Sequence, residues 1–129
     1  MKKRMLSALL CLCMMLTMMP AAFAANTEES TTKTVSTASE LKDALSKATS
    51  GTTIQLTADI TVNNTDLAET AAAVKIPAGV TLDGNTYSIS ADTNWAKGNS
   101  HIVSVESATD YGVQTTIKNL TVIGNDNTK

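Results

Sequence analysis

Apolar residues fall in brief runs along this chain, each closed by turn residues. Three follow in quick succession between Val74 and Ser90: Val74 and Ile76 before Pro77-Ala78-Gly79, Val80 and Leu82 before Asp83-Gly84-Asn85, and Tyr87 and Ile89 after it. Upstream, Ile54, Leu56, Ala58, Ile60 and Val62 hold even positions, while Gln55, Thr57, Asp59 and Thr61 hold odd ones. Period-two alternation marks a strand with one buried face, and Ala58-Asp59 is expected to bend it into two strands. His101 to Val105 and Thr115 to Gly124 are further apolar runs. Strands this short cannot bury a core as isolated hairpins. They read as successive sides of stacked coils, with Ile54, Val80 and Val103, spaced by 26 and 23 residues, expected in neighbouring parallel layers. A β-sandwich or jelly roll is the competing architecture, but its strands are normally longer.

One segment has the helical period instead. Leu41, Ala44, Leu45 and Ala48 share a face in a helix predicted over 37–50. Thr37 and Glu40 form a capping box, Asp43 and Lys47 can pair at i,i+4, and Gly51 is the expected stop. An amphipathic helix ahead of short strands is expected to cover the open end of a sheet stack, where core and backbone groups would otherwise be exposed. The stretches 63–73 and 91–100 are polar excursions, the first with Asp66 and Glu69 placed to cap a helical turn.

The first residues stand apart. Lys2, Lys3 and Arg4 precede an apolar run from Met5 to Met19, and Ala22-Phe23-Ala24 fits a small-x-small cleavage site, so 1–24 reads as a signal peptide. The run is shorter than the roughly 20 residues of a membrane-spanning helix, which weighs against an anchor. Leu10 and Leu12, before Cys11 and Cys13, lack the small size that lipidation requires, and both cysteines leave on cleavage. Residues 25–34 read as a flexible leader and 35–129 as the β domain. The remaining seven basic and twelve acidic residues give a net charge of −5. With no basic stripe, nucleic acid and anionic lipid are not expected partners, no membrane span is expected after cleavage, and the location is secreted or cell-surface.

Four pieces in order, TASELKDALSKA, SGTTIQLTADITV, IPAGVTLDGNTYSIS and TTIKNLTVIG, resemble the start of a right-handed parallel β-helix of the pectate-lyase-like type found in bacterial secreted and surface proteins. The resemblance spans about 35–124 and implies a mainly β fold: solenoid coils behind an amphipathic helical cap. Members of that type carry more coils, so the chain reads as an N-terminal portion whose open C-terminal end pairs with further coils or another chain. The fold hosts lyases, hydrolases and adhesins alike. The expected function is a non-catalytic, adhesin-like surface module contacting a polysaccharide or cell-surface glycan. The alternative is the N-terminal portion of a polysaccharide lyase or glycoside hydrolase whose active coils lie elsewhere.

The residues offer limited chemistry. Asp83 lies in Asp-Gly-Asn, a turn signature first and a weak calcium candidate second. Asp92, Asp110 and Asp126 could join it only if the fold gathered them. No catalytic residue and no cofactor other than that calcium is expected. His101, the sole histidine, reads as a partly exposed residue at a strand start. Trp95, with Asn94 and Lys97, could stack on and contact a sugar; the favoured reading has the ring covering a coil edge, since large aromatics usually bury area. Asn119 is expected to face inward at a turn and bond coil backbone.

Overall fold

The computed structural model describes residues 30–68, 70–96 and 100–126; the predicted signal peptide lies outside them. The described residues are mainly β, with parallel strands and a single short helix. The order is β1 (Thr32–Val35), α1 (Ala38–Ser46), β2 (Thr53–Leu56), β3 (Ile60–Val62), β4 (Ala72–Ile76), β5 (Thr81–Asp83), β6 (Ser88–Ala91), β7 (His101–Val105), β8 (Thr116–Lys118) and β9 (Thr121–Ile123).

Three sheets result, ordered β1-β2-β5-β8, β3-β6-β9 and β4-β7. Their pairings among the described residues are all parallel. From β2 onward the chain visits first, second and third sheet in turn, then repeats the order. A parallel pair cannot be closed by a tight turn, so every ladder joins strands from separate passes. The even-numbered residues of 54–62 turn inward as the alternation predicts, with Ile54, Leu56, Ile60 and Val62 buried and a bend at 57–58. Leu82, Ile89, Val74, Ile76 and Trp95 complete much of the core.

Three expectations are corrected. From β2 onward the layer spacing is longer than the apolar runs suggest: Ile54 stands beside Leu82, Ile60 beside Ile89 and Val74 beside Val103. Ile54, Val80 and Val103 therefore do not form one column; Val80 immediately precedes β5 of the first sheet and Val103 lies in the third. Apolar runs recur once per strand, whereas layers recur once per pass, and counting the former underestimates the latter. Residues 32–34, read as part of a flexible leader, belong instead to a strand. Thr32 to Val35 form β1 and pair with Thr53 to Leu56, a strand that composition hides because Thr32 and Thr34 are exposed and a lysine, Lys33, holds the inward register position beside Ile54.

The third correction concerns the helix end. The cap forms as expected, with Glu40 N–H donating to Thr37 Oγ1 at 3.2 Å. Glu40 reaches back to Ser36 rather than Thr37, accepting from its N–H and Oγ at 2.8 and 2.9 Å. The helix stops at Ser46, before Gly51, because Thr49 N–H turns to Thr52 Oγ1, a local side-chain bond that competes with helix continuation. Gly51, at φ +86, instead donates its N–H to Gly79 O and links two turns. Leu41, Ala44 and Leu45 are buried, and the helix packs on β1, β3 and β4, the outermost strands of the three sheets at that end, and on β2.

Candidate functional site

The turn after β5 is the densest polar network. Asp83 is buried. Its Oδ1 accepts from Asn85 N–H at 2.9 Å and Asn119 Nδ2 at 3.1 Å, and Lys118 Nζ stands 3.3 Å from Oδ2. The Asn85 N–H first, then the Asn119 amide and Lys118, outweigh burial and hold this carboxyl below the usual aspartate range. Asn85 Nδ2 donates to Leu56 O one layer away at 3.3 Å. Asn85, Thr86 and Asn119 take left-handed backbone, with φ of 48°, 76° and 51°, which Asn tolerates better than most residues. The expected role of Asn119 is thus corrected: it is exposed and bonds a carboxylate, while the coil backbone is bonded by Asn85.

This geometry makes Asp83 a turn holder. A cation would have to displace two N–H donors and compete with an ammonium group. Among the described residues no three of His, Cys, Asp or Glu gather where a metal could be held, so the fold does not bring three of Asp83, Asp92, Asp110 and Asp126 together. Asp92 accepts from Asn94 N–H and Thr93 Oγ1. Asp59 accepts from Ser88 N–H and Oγ in the next layer. In each case the backbone N–H is the main reason the carboxyl lies below its ordinary range.

The sugar-stacking alternative for Trp95 is corrected. Its side chain is 1% exposed and sits in the core cluster, presenting no open face to a ring. The buried amide of Asn64 anchors this segment, accepting from Ala96 N–H at 3.0 Å and donating to the buried Ser100 Oγ. Asn94 is exposed, but both its N–H and Nδ2 donate to Asp92. Lys97 lies outside the described residues. His101 stands at the start of β7, as read from the sequence, and is exposed.

The feature best shaped for contact lies elsewhere. An open groove of about 560 Å³ runs between α1 and β4. Leu45, Ala48, Leu67, Ala72, Ala73 and Pro77 give it an apolar floor, and the exposed residues Lys42, Ser46, Lys75 and Glu106 line it with polar groups. Two ammonium donors, a hydroxyl and a carboxylate acceptor over an apolar floor suit a ligand with both hydroxyl-bearing edges and apolar faces. Sequence reasoning missed it. Lys75 is legible only as one polar position in AAVKI, and its neighbours come from four separate segments. A second groove of about 490 Å³ lies between β1 and α1, but its carboxylates, Glu40 and Asp43, are engaged by Ser36 and Lys47.

Compared with known proteins, residues 32–129 match the family model described as "Putative pectate lyase-like adhesive domain". No curated protein and no solved structure matches the chain.

Proposed function

The chain belongs to the pectate lyase-like adhesive domain family, and from that premise we propose that it is a non-catalytic adhesive module, secreted or displayed at the cell surface. Its strands wind as a right-handed parallel β-solenoid behind the α1 cap. The repeated order of sheets supports the winding, and the right-handed preference of parallel crossovers supports the hand. The groove beside α1 is the contact site, and its ligand is a polysaccharide or cell-surface glycan. At the far end, the edges of β7, β8 and β9 take further parallel coils or another chain.

The observation that carries this reading is the family match across residues 32–129. The structural use of Asp59, Asp83 and Asp92 agrees with it, since each carboxylate is occupied by turn or cross-layer donors. Binding of a polysaccharide panel to the immobilised chain tests the reading. Saturable binding is expected, weakened about fivefold by Lys42→Ala or Lys75→Ala, as for the loss of one exposed hydrogen bond of about 1 kcal/mol. Pectate incubated with the chain and calcium is expected to yield no unsaturated product. Lyase product, or binding indifferent to both substitutions, would overturn the assignment and favour the lyase or hydrolase alternative or another contact surface respectively.

A further inference from the structure

The chain crosses from the third sheet to the first twice, over residues 77–80 between β4 and β5 and over 106–115 between β7 and β8. Both ends of the second crossing stay in step with the first. Glu106 N–H donates to Ile76 O at 2.9 Å and Thr116 N–H to Val80 O at 3.1 Å. Thr115 Oγ1 donates to Pro77 O at 3.4 Å and accepts from Gly79 N–H at 3.0 Å. With its feet fixed on so short a segment, the longer crossing has six residues that the wall cannot hold, and they project sideways. That projection is set by the feet and the length between them, whatever packs on β8. The tip is a turn, in which Val113 N–H donates to Asp110 O at 3.2 Å and Gly112 N–H to Asp110 Oδ1 at 3.4 Å, the local bonding that lets aspartate start a turn. Tyr111 stands at its corner, 108% exposed, with its ring resting on nothing. Among the described residues the other aromatics, Tyr87 and Trp95, are half-buried and buried.

The feet of this loop are also the lip of the groove beside α1, which Pro77 and Glu106 line. A fully extended chain from Glu106 to Tyr111 spans at most about 18 Å, so the ring stands near a ligand that leaves the groove at Glu106. We propose that Tyr111 is a second contact for the polysaccharide in the groove, stacking on the C–H face of a sugar beyond its lip. A pyranose ring has a face of C–H groups and an edge of hydroxyls, and tyrosine answers with a flat apolar face and a hydroxyl at one end. Its two side-chain torsions make it an anchor that loses little conformational freedom on binding. The ligand is then a chain of several sugars, because a single terminal sugar cannot occupy the groove and reach the loop tip together. The inference rests on the reading of the groove as a glycan site and adds to it a contact residue and a requirement for chain length.

Calorimetric titration of the full chain with disaccharide and hexasaccharide fragments of cellulose, mannan and polygalacturonate decides it. For the polymer that binds, the hexasaccharide is expected to bind more tightly than the disaccharide. Tyr111→Ala should weaken the hexasaccharide about fivefold, as for one aromatic contact, and leave the disaccharide unchanged. Tyr111→Phe keeps the ring and should keep the wild-type affinity. Both variants should unfold at the wild-type temperature, since the side chain packs on nothing. Lys75→Ala, in the groove, should weaken both lengths. If Tyr111→Ala binds the hexasaccharide like the wild type while Lys75→Ala weakens both, the role of Tyr111 is overturned and the groove reading stands. A Phe variant as weak as the Ala variant, or a disaccharide weakened as much as the hexasaccharide, overturns stacking beyond the lip. Absence of binding, or binding indifferent to Lys75→Ala, overturns the groove reading and this inference with it.

Discussion

At the scale of single residues, two side chains suggested ligand chemistry and serve the fold. Trp95 is the only tryptophan, so its fluorescence reports one site. Blue-shifted emission shielded from iodide is expected, with both features lost on unfolding. Trp95→Ala should destabilise the chain by about 3–5 kcal/mol in urea titration, the range for deleting a buried aromatic; a ring lying on the surface would make the change nearly neutral. Asp83 makes a pH prediction. Its folded pKa is depressed, first by the Asn85 N–H, then by Asn119 and Lys118. Its contribution is therefore fully present above the ordinary aspartate value of about 3.9 and is lost as pH falls through the lower folded value. Asp59, Asp92 and Glu40, also lowered by hydrogen bonds, act in the same direction. Thermal unfolding scanned from neutral to acid pH should show falling stability below about pH 4, and Asp83→Asn should flatten that fall while lowering stability at neutral pH.

At the scale of elements, the most constrained piece is the turn from β5 to β6. A Cβ at Gly84 would meet backbone atoms, Asn119 O and Leu120 Cα, so relief requires moving the β8–β9 connection. Gly84 N–H also donates to Lys118 O, and Thr86 N–H to Asn119 O. Gly84→Ala is expected to cost about 1–3 kcal/mol, as overpacking does, with the loss centred on β8 and β9. Chemical denaturation gives the magnitude, and hydrogen exchange the location. The reading of Asp-Gly-Asn as a turn was correct from sequence, because Asp and Asn bond their own backbone wherever they stand. The need for glycine at 84 was not legible, since the obstructing atoms lie 35 and 36 residues further on. The helix shows the same division. Its cap and apolar face are local and were readable; its stop depended on Thr52 closing on Thr49.

At the scale of the whole molecule, every ladder joins residues from different passes of the chain, from 21 residues apart (Lys33 with Ile54) to 35 (Leu82 with Ile117). In dilute solution, hydrogen exchange should be slowest in β2, β5 and β6, which are paired on both sides, and fastest in β8 and β9, which open locally first; uniform protection would contradict a layered stack. With so few local strand contacts, folding in milliseconds to seconds is expected by stopped-flow. The sequence by itself determined which residues turn inward, where the turns fall and that one helix precedes most of the strands, because period, capping and turn chemistry act over a few neighbouring residues. Only the tertiary structure decided which run lies beside which, that Trp95 is enclosed, and that Lys42 and Lys75 share a groove. Those outcomes depend on the distance travelled by each pass, and polar excursions of differing length change that distance without disturbing the local pattern.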